Sequence, residues 1–206
     1  MARPQSHTRD EFVRAALAIV DAEGLEALTF RRLGAEMDVS YTAAYTYFEN
    51  REALVSAIVN SLVSDMGREL TGAGSTPREI FMGIGLAVRK VLTRHPQVVS
   101  AFVTVDAGAS EFETGIMETA IALLDGAGLR GDELVLAYRT LETYILGAVI
   151  FDFGGAPNHL SIRRRRYKGL KREEFLPMSR SDKAMAAHND EAFVLGLERL
   201  LISFGL

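Results

Sequence analysis

A chain of 206 residues, 48% hydrophobic and 24% charged, has room for one or two compact domains and excludes a disordered or fibrous protein. It holds no cysteine, which excludes a disulfide framework and thiolate chemistry and fits a reducing cytoplasm. A net charge of −4 argues against a general nucleic-acid binder, yet a specific one can gather Arg3, Arg9, Arg31, Arg32 and Arg51 on one side while Asp21, Glu23 and Glu36 face away.

The first residues, M-A-R-P-Q-S-H-T, lack an apolar signal core, and no apolar run approaches the roughly 20 residues that span a bilayer. A cytoplasmic protein with no membrane partner is expected. Thr8 followed by Glu11 is a capping box for a helix that buries Phe12, Ala15, Ala16, Ile19 and Val20 and ends at Gly24.

The stretch T-F-R-R-L-G-A-E-M-D-V-S-Y-T-A-A-Y-T-Y-F-E-N-R-E-A-L, Thr29 to Leu54, predicts a helix, a tight turn and a second helix. Thr29 caps a short helix with Leu33 and Met37 four apart, Asp38 breaks it, Val39 plugs the turn and Ser40 caps Tyr41 to Tyr47. Ala44 and Phe48 then face the core, with Tyr45 expected beside them. Tyr41, Thr42, Thr46 and Tyr47 face outward, where hydroxyls and methyls can meet base edges in a major groove and tyrosines reach phosphates at its rim. Arg32 is expected in solvent. Asn50 caps a third helix and leaves free amides beside Arg51, a pattern suited to phosphate.

That third helix continues through Leu54, Ile58, Leu62 and Met66 to about Leu70, as a mechanical link. T-G-A-G-S-T is a joint, and Pro77 opens a helix with Ile80, Phe81, Ile84, Val88, Val91 and Leu92 that His95-Pro96 ends. The apolar Val98 to Val105 is read as a short buried helix. Ser110 caps a helix through Ile116, Met117, Ala120, Leu123 and Leu124, closed at Gly126 to Gly128. Another runs from about Asp132 to Phe153, burying Leu134, Tyr138, Leu141, Ile145, Val149 and Ile150. Ala156 to His188, with Pro157, Pro177 and the run Arg163 to Arg166, shows no sustained period and is read as a long surface loop with solvated arginines. Asn189 or Asp190 caps a last helix through Phe193, Leu197, Leu200, Leu201 and Phe204. No internal repeat occurs. The predicted fold class is all-α: a three-helix helix-turn-helix domain over residues 1–54, a connecting helix over 51–70, and a helical ligand-binding and dimerisation domain over 71–206 with its loop at 156–188.

Thr29, Leu33, Ala35, Val39, Ser40, Tyr45, Tyr47, Phe48, Arg51, Ala53 and Leu54 stand in the order and spacing of the TetR family of one-component repressors, which this stretch closely resembles. The resemblance implies base contacts from Tyr41, Thr42, Ala43 and Thr46. It implies phosphate contacts from Tyr47 and Arg51, with Thr29 at the head of the first helix of the pair and Arg31 placed to reach a guanine. E-T-Y-I-L-G-A-V-I-F-D at Glu142 to Asp152 and D-E-A-F-V-L-G-L-E-R-L-L at Asp190 to Leu201 are similar to the dimer-forming helices of the tetracycline-repressor branch. On the residues alone, both carry apolar side chains around most of their circumference and a mid-helix glycine, Gly147 and Gly196, that lets another backbone approach. A homodimer is expected, reading a palindromic double-stranded DNA operator with half-sites about 34 Å apart.

The chain departs from that branch at the ligand. Where the tetracycline repressors hold magnesium and drug, the register gives Gly67, Ile84, Val88, Phe102, Ala120 and Phe151, none of them a donor for a hard cation. No metal and no cofactor are expected. The implied effector is a largely apolar small molecule in a dry pocket walled by Phe81, Ile84, Phe102, Met117, Tyr138 and Tyr144, with Phe151 as a further candidate and tyrosine hydroxyls or Glu142 orienting it. The alternative is a filled core that answers to a protein partner or to no ligand. No enzyme is expected: His7, His95, His159 and His188 lack metal spacing, no G-x-S-x-G occurs, and Gly83-Ile84-Gly85 meets Val88 where a cofactor loop needs a third glycine.

Overall fold

The computed structural model describes residues 7–70, 74–99, 101, 111–153 and 159–206, and every regular element among them is helical. The elements are α1 (Arg9–Glu23), α2 (Phe30–Glu36), a 3-10 helix (Tyr41–Thr46), α3 (Arg51–Glu69), α4 (Pro77–Arg94), α5 (Glu111–Gly126), α6 (Gly131–Phe153), α7 (His159–Tyr167), α8 (Leu176–Arg180) and α9 (Asp182–Ser203).

The caps explain the boundaries. Thr8 and Glu11 form the expected box at the start of α1, and Thr76 with Glu79 forms a second at the start of α4, around Pro77. Asn50 accepts from the Ala53 amide at 2.8 Å and opens α3. Gly128, at φ 97, lies just past the end of α5.

One core runs from the amino-terminal helices into the body. Phe12, Leu28, Leu33, Phe48, Leu54 and Ile58 are at most 2% exposed and cluster with Val91, Leu92, Val98 and Ala101. A second core joins Phe81 of α4, Leu124 of α5, Leu141 and Ile145 of α6, and Phe193, Leu197 and Leu201 of α9. The segment expected as a short helix at 98–105 falls mostly outside the described residues; Val98, Val99 and Ala101 are buried.

Two expectations are corrected here. The stretch read as a loop at 156–188 holds α7, a single 3-10 turn at Glu173–Phe175, α8 and the first turns of α9, which starts at Asp182 with Ser181 as its cap rather than at Asn189 or Asp190. Arg163 is not solvated: its guanidinium lies over the Phe151 ring at 4.2 Å and pairs with buried Asp152, while Ser161 and Arg164 reach Asp182. Tertiary ion pairs, rather than an apolar stripe, hold this segment in place. In addition, α6 is long and apolar enough by length and composition to cross a bilayer, against the expectation that no run comes close. Only 22% of its apolar window is buried within the chain, and Val135, Leu136, Ile150 and Phe151 stand exposed.

Candidate DNA-reading face and effector pocket

Three local features build the face presented by residues 41–47. Thr29 caps α2 by accepting from the Arg32 amide at 3.0 Å. Asp38 takes φ 54, one of the few side chains that tolerates the left-handed region, and so reverses the chain. The Val39 amide then donates to the Gly34 carbonyl at 2.9 Å. Gly34 is indispensable at this crossing: a Cβ on it would lie 2.9 Å from Tyr41 N, Tyr41 Cα and Val39 O, all of them backbone atoms. In the sequence the only mark of this role is a glycine inside a short helix, Gly34, a signal for such an approach.

Ser40 caps the second element as expected, accepting from the Thr42 amide at 3.3 Å, with its hydroxyl 2.8 Å from that of Thr42. The element is a 3-10 helix of six residues. Ala44 and Phe48 are buried. Tyr45, expected in the core, follows Thr42 outward and is 56% exposed, resting its ring edge-on against Phe30 at 4.5 Å. Tyr41, Thr42 and Thr46 are exposed and Ala43 half-buried, with Thr29 and Arg31 exposed nearby in α2 and its cap.

Two residues given phosphate roles are turned toward the protein. The Tyr47 hydroxyl donates to the His7 carbonyl at 2.6 Å, and its ring packs on Phe12 at 5.4 Å. Arg51 is half-buried, its Nε donating to the Leu28 carbonyl at 2.9 Å and its Nη2 to the Leu25 carbonyl at 2.7 Å. Arg51 thus fastens the turn before α2 to the start of α3. Arg32, expected in solvent, bridges Glu23 at 2.7 Å and Glu36 at 2.8 Å.

In the body, a pocket of about 140 Å³ opens between three helices. Phe81, Ile84 and Val88 of α4 form one wall, Ile116, Met117 and Ala120 of α5 a second, and Tyr138, Leu141, Glu142, Ile145 and Leu146 of α6 the third. The Tyr138 hydroxyl donates to Glu142 Oε1 at 3.3 Å, and Arg139 pairs with the other oxygen from the solvent side. Of the residues expected at the ligand, Phe81, Ile84, Met117, Tyr138 and Glu142 come together here; Phe102 lies outside the described residues. Tyr144 is elsewhere: its ring stacks on Phe193 at 5.7 Å and its hydroxyl donates to the Phe193 carbonyl at 3.0 Å. Burial pushes its phenol pKa up. Gly196 makes that seat, because a Cβ there would overlap the Tyr144 hydroxyl, so this glycine admits a side chain of its own chain rather than another backbone. Phe151 is 62% exposed and lies away from the pocket against Arg163.

Beside these sits a cluster that the sequence does not announce. Arg89 of α4 is 5% exposed and donates to Asp152 of α6 at 2.9 Å and to Asp190 of α9 at 2.8 Å, with its guanidinium over Phe193 at 4.8 Å. Arg163 completes it from α7. The partners are 63 and 101 residues away from Arg89 in the chain, beyond any local pattern.

Comparison with known proteins agrees with this geometry. The family profile described as bacterial regulatory proteins, tetR family, matches residues 12–58, and the one described as tetracyclin repressor-like, C-terminal domain, matches residues 72–203. An uncharacterized HTH-type transcriptional regulator of Mycobacterium tuberculosis is 26% identical over 162 residues, 75% of this chain and 74% of that protein. The class A tetracycline repressor of Escherichia coli is 25% identical over 144 residues, 69% of this chain and 66% of that protein. The solved structure of a TetR transcriptional regulator from Streptomyces coelicolor superposes with a TM-score of 0.73 at 20% identity, over 97% of this chain and 98% of that one, a likeness of fold. With one profile over the helix-turn-helix and the other over most of the remaining chain, this protein belongs to the TetR family of transcriptional regulators.

Proposed function

We propose that this regulator is a homodimeric repressor that holds a palindromic operator and releases it when a largely apolar small molecule enters the pocket between α4, α5 and α6. The observation that carries the reading is α4 itself, which lines that pocket at Phe81, Ile84 and Val88 and joins the core of the helix-turn-helix at Val91 and Leu92. Residues 1–54 are the DNA-binding domain, 51–70 the connecting helix and 71–206 the effector and dimerisation domain. Among the described residues α3 contributes nothing to the pocket wall, so α4 takes the coupling role that the sequence suggested for the helix from Arg51 to Leu70.

On this reading Thr29, Arg31, Tyr41, Thr42, Ala43 and Thr46 meet the duplex, while Tyr47 and Arg51 hold the face in register. Exposed Val135, Leu136 and Ile150 on α6 and Val194, Leu195 and Ile202 on α9 support a second copy packed as a four-helix seam, which sets two faces on one side of the DNA. The similarity to a repressor, the Escherichia coli class A tetracycline repressor, supports the direction of control. The absence of hard-cation donors at Gly67, Ile84, Val88, Phe102, Ala120 and Phe151 supports an apolar effector over a metal-bound one. To swing occupancy from nearly full to nearly empty, the effector must favour the releasing form about 10⁴-fold.

The volume of the pocket, about 140 Å³ against the roughly 300 Å³ at which ligand pockets begin, favours the second reading of a core filled by its own side chains. Selection from random duplexes tests the shared part: a palindrome should emerge, and Thr42→Ala and Arg31→Ala should each cost about 1 to 3 kcal/mol at particular bases. Enrichment of no sequence overturns it. A metabolite library read by melting temperature and operator release separates the two readings, since only an open pocket gives a compound that does both.

A further inference from the structure

We infer that the occupant of the α4–α5–α6 pocket is a small organic cation, an apolar body bearing a quaternary or tertiary ammonium, with Glu142 as its counter-ion. This rests on the ligand-responsive reading above and adds the sign of the charge.

Glu142 is the one carboxylate, and there is no base, among the described residues that line the pocket. Its Oε1 sits beside the hydroxyl of Tyr138, another lining residue. The bases of α4 are committed to acids on other helices: Arg78 to Glu198 at 2.6 Å, Arg89 to Asp152 and Asp190, Lys90 and Arg94 to Glu69. By sequence α5 carries Glu111, Glu113, Glu118 and Asp125 and no base, and no Lys, Arg or His occurs anywhere from Pro96 to Leu129. Among the described residues no base therefore faces the Glu142 carboxylate from inside the pocket, whose apolar walls strengthen its pull on a cation.

The existing partner of Glu142 is weakly held. Arg139 lies three residues before it on the same helix with its side chain 66% exposed, and a surface pair of this kind contributes little. A cation arriving from the pocket side meets the carboxylate with less water around it. Phe81 and Tyr138 supply aromatic surface, which attracts a quaternary ammonium. A neutral ligand leaves that attraction unused, and an anion is repelled.

The test uses the full chain and two probes of nearly the same shape, benzyltrimethylammonium and neutral neopentylbenzene, read by calorimetry and by melting temperature. The cation is expected to bind at least about tenfold tighter than its neutral twin. Glu142→Gln should erase that preference while leaving the neutral probe unchanged, which also shows that the variant is folded; Arg139→Ala should tighten the cation alone, and Ala120→Leu should weaken both probes by filling the site. Equal affinity of the two probes for the native chain overturns the charge assignment and leaves the pocket reading standing. A preference that survives Glu142→Gln overturns Glu142 as counter-ion. Binding of neither probe overturns the pocket reading, and this inference with it.

Discussion

The helix-turn-helix end and the α7–α8 segment are both helical, yet they are held by opposite means. At the first, Phe12, Leu33, Phe48 and Leu54 are at most 2% exposed, and a single glycine fixes how the two elements cross. At the second, Ser179 is the one residue of α8 that is buried, and attachment falls to Asp152, Asp182 and the arginines that reach them. Apolar packing degrades gradually as atoms are removed, whereas a buried charge that loses its partner is left uncompensated. The two ends should therefore fail differently.

The largest effect should come from the charged side. Asp152→Ala removes the carboxylate that Arg89 and Arg163 share and leaves Asp190 to Arg89, and a loss of about 3 kcal/mol is expected in denaturant melts, with operator binding by the surviving folded fraction unchanged. Gly34→Ala inverts that outcome. Its methyl meets backbone at 2.9 Å, so about 1 to 3 kcal/mol of stability should go while operator affinity falls by more than the melt accounts for, because Tyr41 is displaced. Should the affinity track the melt alone, the reading face does not begin at Tyr41.

A smaller cut sharpens the contrast. Tyr47→Phe removes the hydroxyl that binds the His7 carbonyl and keeps the ring on Phe12; about 0.5 to 1.5 kcal/mol of stability is expected from thermal melts, with no loss of DNA affinity beyond what the melt accounts for. A loss of affinity for all sequences, larger than the melt accounts for, would return Tyr47 to the phosphate. The smallest effect is one of pH. Backbone amides of Thr8 hold the Glu11 carboxyl below its ordinary 4.5, and those of Thr76 and Ser75 do the same for Glu79. A depressed carboxyl stabilises the fold above 4.5, and that contribution is lost as pH falls through the lowered value. Glu79→Gln and Glu11→Gln should each flatten the acid limb of a melting-temperature curve by a similar small amount, which would show that the two capping boxes work alike in unlike surroundings.

The sequence was most legible where structure is local. The box at Thr8 and Glu11, the caps at Thr29, Ser40 and Asn50, and the apolar spacing in α1, α3, α4 and α5 could be read within a few residues. Tyr45 was misplaced because its ring was given to the core, whereas it covers Phe30 from the solvent side, four residues from exposed Tyr41. Residues 159–188 read as a loop because α7 has no apolar stripe; the high helix propensity of its arginines was the available clue, and the acids that hold them lie on other helices. Tyr144 sat at a plausible spacing for the pocket, but its seat depends on Gly196, 52 positions later in the chain.

Helix α4 is gripped midway by the acids around Arg89, and near its end the His95 Nδ1 lies 2.8 Å from Asp21 of α1. From Phe81 to Arg89 the axis runs about 12 Å and from Arg89 to His95 about 9 Å at the rise of an α-helix. A rigid rod turning on that fulcrum converts a nudge of 1 Å at one tip into about 0.75 Å at the other, reversed in direction. If α4 moves as such a rod, its gearing is near unity, and a step that widens the cavity at Phe81 displaces α1 by a comparable amount.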